Sequence, residues 1–188
     1  MHAPSQGPLR LTVIYGSARP GRLCDTVARW VQGRIAEHGG YEVDRLDPLA
    51  ADFPPNAAAL SRRIEQADAF VVVTPEYNHS FPAPLKALID SVEREWSGKV
   101  VAFVTYGGVS GGLRASEHLR QVFAELDAHS LRETVSFAYA WEQFGADGEL
   151  RAPQRASRAM NGLLDRLGWW AGTLRSAREV DHAGERAA

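Results

Sequence analysis

Three short segments hold most of the residues whose chemistry goes beyond packing. The first is "GSARPGRLCDT", Gly16 to Thr26. Gly16 permits a tight turn, Ser17 offers a hydroxyl, and Arg19 and Arg22 add cations whose fork geometry suits a phosphate. The N–H groups of such a loop, opening into a helix, make an anion site. Taken alone, a solvated basic turn accounts for the segment equally well. It is neither G-x-G-x-x-G nor a Walker loop, so dinucleotide binding and nucleotide hydrolysis lose support. Asp25 caps the helix or points away from the anion. Cys24, at the helix start, is placed for a lowered pKa, but no base stands by to activate it. A packing role, or a weak S–H contact to the phosphate, suits it better.

The second segment is "TPEYN", Thr74 to Asn78. Pro75 fixes an extended backbone that can lay N–H and C=O groups along the edge of a planar ring. Tyr77 brings a flat surface and Asn78 a donor–acceptor pair. A plain turn, with Tyr77 in the core and Asn78 capping a helix, is the competing reading. Glu76 has no visible partner and reads as structural or interfacial. The third segment, "TYGGVSGG" from Thr105 to Gly112, has four glycines in six residues. Bare backbone between a strand and a helix lets a ligand touch main-chain N–H groups, with the positive end of the following helix aimed at it. Together the loops outline one ligand: a phosphate on the first, a planar ring between the second and third. FMN meets that outline.

Such loops need rigid elements to position them. Apolar runs suited to buried strands are Leu9–Gly16, Ala69–Pro75, Gly98–Gly108 and Leu131–Ala140, with a weaker one at Tyr41–Asp47. Between them lie helical patterns at Asp25–Gly39, Asn56–Asp68, Ala83–Val92 and Leu113–His129, and a last one at Pro153–Leu174. Continuous apolar strands alternating with amphipathic helices predict a parallel sheet covered on both faces. Right-handed crossovers make it doubly wound, with about five strands and the three loops at strand carboxyl ends. Trp141–Pro153 reads as loop. The charged tail from Arg175 reads as frayed, which leaves an ordered core of about 9–172 in a single domain over 1–188.

With 45% hydrophobic residues and a formal net charge of −2, the chain has the composition of a globular domain rather than of a nucleic-acid binder. No stretch is apolar enough to span a bilayer. "MHAPSQGP" lacks a signal-peptide pattern, so a cytoplasmic location is expected. One cysteine excludes an internal disulfide and a cysteine-based zinc site. No metal site is expected.

At these loops the sequence resembles the NADPH-dependent FMN reductase family, a branch of the flavodoxin-like folds. The shared motifs are Gly16-Ser17-Ala18-Arg19, Pro75-Glu76-Tyr77-Asn78 and the glycine-rich Gly107–Gly112, with "PLKALID" and "SGKVVAFV" around them. The likeness runs from about Leu9 to about Phe137. It implies a flavodoxin-like α/β fold with strand order 2-1-3-4-5. It implies a phosphate site at Ser17, Arg19, Arg22, Leu23 and Cys24. It implies a ring site at Pro75, Glu76, Tyr77, Asn78, Tyr106, Gly107, Gly108 and Gly111. Arg114 stands where some relatives carry an interface arginine, and the family implies a homodimer or homotetramer.

The expectation is an NAD(P)H-dependent oxidoreductase in which bound FMN carries the chemistry and no catalytic side chain is required. NADPH or NADH gives hydride to FMN, and an acceptor then takes its place in ping-pong order. That acceptor is free flavin, a quinone, an azo or nitro compound, or a metal oxyanion. A monooxygenase partner is an alternative outlet. Two readings of other classes stand beside it: a one-electron carrier like flavodoxin, and a flavin-binding regulatory protein of low turnover. Loop arginines and a nearly neutral chain argue against the carrier, which is typically acidic.

Overall fold

The computed structural model describes residues 7–187, and side chains for residues 7–181. The five apolar runs are strands: β1 Leu9–Tyr15, β2 Tyr41–Leu46, β3 Ala69–Pro75, β4 Val100–Gly107 and β5 His129–Ala138. All pair in parallel, in the order β2-β1-β3-β4-β5. The helices are α1 Cys24–His38, α2 Ala57–Gln66, α3 Ala83–Asp90, α4 Leu113–Glu125, a short α5 Ala140–Gln143, and α6 Pro153–Ala187. This is the doubly wound flavodoxin-like sheet that the sequence predicts.

The sheet divides the core in two because side chains alternate across a strand. Val71 and Val73 of β3 face the layer made by α1 and α6, with Val27, Val31, Leu163 and Leu167. Phe70 and Val72 face the layer made by α2, α3 and α4, with Ile64, Leu88 and Phe123. Every residue of β3 is buried, which is why its sequence is a continuous apolar run rather than an alternation. Trp96 is fully buried in the second layer. It packs edge-on against Phe70 and Phe123 at 4.8 and 5.4 Å and donates its indole N–H to the Ile89 carbonyl. Each such side chain contributes roughly 1.5–3 kcal/mol by leaving water.

Three local expectations are revised. The helix expected to reach His129 ends at Glu125, where Asp127 turns left-handed (φ 56°) and frees His129 to start β5. The segment expected as a loop from Trp141 holds α5 and a bridge between Phe144 and Leu150. The tail expected to fray from Arg175 continues α6. Asp68, only 10% exposed at its side chain, accepts from Arg178 Nη2 at 3.0 Å and Arg175 Nη1 at 3.3 Å, tying that helix to the start of β3.

Candidate functional site

The loops after β1 and β3 leave the sheet on opposite faces, so a crevice opens between them at the carboxyl edge. Ligands of open parallel sheets bind in such crevices. Gly16 sits at its floor, its N–H donating to the Val73 carbonyl at 2.8 Å. A Cβ there would lie 2.7 Å from Thr74 Cβ, so glycine alone lets loop one cross β3 this closely.

Loop one then runs into α1. Its N-cap is Leu23, with no side-chain cap. The first-turn N–H groups of a 15-residue helix therefore face the crevice without a protein acceptor from the cap, which is the donor set of an anion site. Arg19 is exposed, with its guanidinium over the Tyr77 ring at 4.4 Å. Among the described residues no carboxylate pairs with it.

Arg22 is placed differently from the expected phosphate ligand. Its side chain is 4% exposed and engaged beneath the loop: it donates to Asp47 Oδ2 at 2.6 Å, Asp25 Oδ1 at 2.9 Å and the Ser17 carbonyl. Burial pushes the Asp47 carboxyl up, but hydrogen bonds from Arg22 and the Leu49 N–H outweigh it and hold the group below the usual range. Arg22 thus braces the loop from below. Cys24 is fully buried, its S–H directed at the Val73 carbonyl 3.5 Å away. Burial pushes its thiol up to about 11. It packs, and the lowered pKa that its helix-start position suggests is overturned by burial.

The strap Pro75–Asn78 crosses beside loop one. Ser17 Oγ and Tyr77 Oη lie 3.2 Å apart, joining the phosphate-type loop to the ring-type loop. Asn78 and His79 have φ of 51° and 67°, and Tyr77 and Ser80 exchange both backbone hydrogen bonds at 2.8 and 2.9 Å. Asn78 is therefore the first central residue of a tight left-handed turn, which Asn tolerates. It is not the cap of α3, whose N-cap is Pro82.

Glu76, which has no visible partner in the sequence, is the hub between strap and glycine loop. Its backbone N–H donates to the Tyr106 carbonyl at 3.0 Å. Its carboxylate, 8% exposed, accepts from Ser110 Oγ at 2.6 Å, Arg114 Nη1 at 2.8 Å and the Arg114 N–H at 3.2 Å. Burial raises the Glu76 pKa, but these donors outweigh it and lower the group below its ordinary value. The positive end of α4, expected to face the ligand, is thus capped by Glu76.

In the glycine loop, Gly111 and Gly112 have φ of 62° and 86°. Cβ atoms there would meet Ser136 Oγ at 2.2 Å and Thr105 Cβ at 2.6 Å. Gly107 and Gly108 are the pair left partly open at the site edge. The Tyr106 carbonyl is taken by the Glu76 N–H. The Tyr106 ring is buried in the α1 layer, where burial raises its phenol and Cys24 contacts it. Asp47, Tyr139 and Trp141 lie outside the three loop motifs, and Ser110 lies inside one without a role read from it. Asp47 lies in "LDPLA", whose Asp-Pro reads only as a turn.

Comparisons with known proteins agree with this fold. A family model described as NADPH-dependent FMN reductase matches residues 9–142. "Probable NADPH:quinone oxidoreductase 1" of Oryza sativa subsp. japonica is 35% identical over 184 residues, covering 87% of this chain and 93% of that protein. The "Quinone reductase" of Escherichia coli K12 is 39% identical over 137 residues, 64% of this chain and 72% of that protein. Among solved structures, the FerB flavoenzyme NAD(P)H:(acceptor) oxidoreductase of Paracoccus denitrificans superposes with a TM-score of 0.69 at 25% identity. It covers 87% of this chain and 97% of that one.

Proposed function

The chain belongs to the NADPH-dependent FMN reductase family, and from that membership and the loop geometry we propose that it is an FMN-dependent NAD(P)H oxidoreductase whose acceptors include quinones. The observation that carries this reading is the convergence of three loops at one carboxyl edge, linked through Ser17–Tyr77 and Glu76–Arg114. The uncapped α1 terminus, Ser17 and Arg19 suit a phosphate monoester. Gly107 and Gly108, with the strap from Pro75 to Asn78, suit a flat ring that must approach backbone closely.

When bound, FMN supplies acceptance of a hydride from NAD(P)H and delivery of two electrons to a second substrate. The protein's part is position and electrostatics. Loop one fixes the phosphate, and the braced Arg22–Asp47 pair keeps that loop in shape. Pro75 and Tyr77 lay the strap along the ring edge. Backbone N–H groups near Gly107 and Gly108 would offer partial positive charge to a bound ring. The single open crevice would serve donor and acceptor in turn, which supports ping-pong order. Exposed Val109 and Leu113, close to Arg114 in sequence, support a homodimer as the working unit.

A visible spectrum of the purified protein with FMN, before and after anaerobic NADPH, tests the proposal. Flavin absorbance that stays with the protein, bleaches on NADPH and returns with a quinone supports it. Bound flavin that does not bleach moves the function to a carrier or regulatory protein. Failure to retain FMN sinks the site.

A further inference from the structure

Two exposed aromatic side chains stand at the rim of this site, and the fold has no packing use for them. Tyr139 is 46% exposed and Trp141 59% exposed. They follow β5 directly, and their rings meet edge to face with centroids 5.9 Å apart. The residues beside them do the packing. Ala140 is fully buried, and Phe144 lies against Phe137 at 5.3 Å. The short helix is therefore pinned from below while its aromatic pair is turned outward.

The pair is aimed at the glycine loop. A Cβ on Gly108 would lie 3.9 Å from Trp141 Cη2, so the indole's far end stands over the open side of the glycine assigned to the flavin ring. The Tyr139 N–H donates to the Gly108 carbonyl at 3.0 Å, and Gln143 Nε2 donates to the Ala138 carbonyl at 2.6 Å. Tyr139 holds left-handed backbone angles, φ 48° and ψ 49°. That conformation is costly for a side chain of this size and persists only where surroundings over-determine it. Four non-glycine residues among those described have positive φ, and three of them, Asn78, His79 and Tyr139, lie at this sheet edge.

We propose that Trp141, oriented by Tyr139, is the aromatic wall of the acceptor site and selects planar aromatic acceptors such as naphthoquinones over small inorganic ones. The inference rests on the FMN reading of the crevice. The wall needs a face that a ring can stack on and an adjoining surface that it can share with the flavin; the exposed Trp141 indole supplies the first and its place beside Gly108 the second. Offset or edge-to-face aromatic contact favours a fused planar ring and gives a compact inorganic complex nothing comparable.

Equilibrium binding of a naphthoquinone to FMN-loaded protein, with no NAD(P)H present, is read from the perturbation of flavin absorbance. Wild type, Trp141→Ala and Trp141→Phe are compared, alongside FMN affinity and turnover with ferricyanide. The expected result is naphthoquinone binding about tenfold weaker in Trp141→Ala and largely restored in Trp141→Phe. FMN stays bound, and ferricyanide turnover falls by less than naphthoquinone affinity does. Naphthoquinone affinity within about twofold of wild type, with FMN still bound, overturns the wall and leaves the FMN site standing. A Trp141→Ala chain that loses FMN or changes oligomeric state also overturns it, by making Trp141 a cofactor or subunit contact. Wild type that fails to bind FMN overturns the underlying site reading.

Discussion

Glu76 caps a helix that begins 37 residues further along the chain: its carboxylate accepts the Arg114 N–H of α4 at 3.2 Å and the Arg114 guanidinium at 2.8 Å. One side chain therefore sets the distance between the strap and the glycine loop. In Glu76→Gln the shape is kept and the charge is lost. The charged hydrogen bonds weaken, costing about 1–2 kcal/mol of stability, discounted because Arg114 is half exposed. FMN binding is expected to weaken about tenfold, since a shift of under an ångström at either loop misplaces its donors. Thermal unfolding and fluorescence titration with FMN measure the two effects. A lower Tm with unchanged FMN affinity would confine Glu76 to a structural role.

The same carboxylate sets an acid limit. The folded-state pKa of Glu76 is lowered, so its stabilisation is fully present above the ordinary carboxylate value of about 4.3 and is lost as pH falls through the lower folded value. Urea unfolding across that window is expected to show a shallower loss in Glu76→Gln than in wild type.

Gly108 and Gly112 separate binding from folding. A Cβ on Gly112 meets Thr105 Cβ at 2.6 Å and the Tyr106 N at 2.8 Å, at φ 86°, so Gly112→Ala is expected to cost about 3 kcal/mol or more. A Cβ on Gly108 meets nothing nearer than Trp141 Cη2 at 3.9 Å. Gly108→Ala is expected to fold with a change of about 0.5 kcal/mol or less and yet to lose FMN affinity. Denaturant midpoints and flavin titration of the two variants decide it.

Arg19 and Arg22 lie three residues apart and are expected to fail in different ways. Arg22→Ala leaves Asp47, 9% exposed at its side chain, without its partner, which costs about 3–5 kcal/mol. Arg19→Ala removes an exposed cation over Tyr77 and leaves stability within about 0.5 kcal/mol. Its FMN affinity should fall and become less dependent on salt, because a phosphate contact is gone. Equal losses of stability in both variants would contradict the assignment.

Lys99, 4% exposed, opens β4 at the opposite edge, its ammonium donating to the carbonyls of Ile64 and Glu65. Burial, reinforced by the Arg178 charge and opposed by Asp68, pushes it down to about 7. An unfolded lysine titrates near 10.4, so between about pH 7 and that value the unfolded chain binds the extra proton and stability rises with pH. A gain of about 2 kcal/mol from pH 7 to about pH 9 is expected, absent in Lys99→Met. Urea unfolding at the two pH values checks it; a flat profile in wild type would show that Lys99 stays charged in the fold.

The strands and most helices were legible because their causes are local. "AFVVVTP" is apolar at every position since β3 is covered on both faces, and α2 carries Leu60 and Ile64 on one stripe behind an Asn56 cap. The tight glycines were legible too, because few other residues fit those turns. Side-chain assignments were less so. Arg22 sits in a basic loop and reads as a phosphate ligand, yet it pairs with Asp47, 25 residues on. Glu76 reads as partnerless and finds Arg114 38 residues away. Arg175 and Arg178 read as a fraying tail and bind Asp68 across more than a hundred residues. A charged side chain on a flexible stem has many partners within chemical reach. Which one it meets depends on strand order and crossover hand, and these bring distant residues together only once the sheet is assembled.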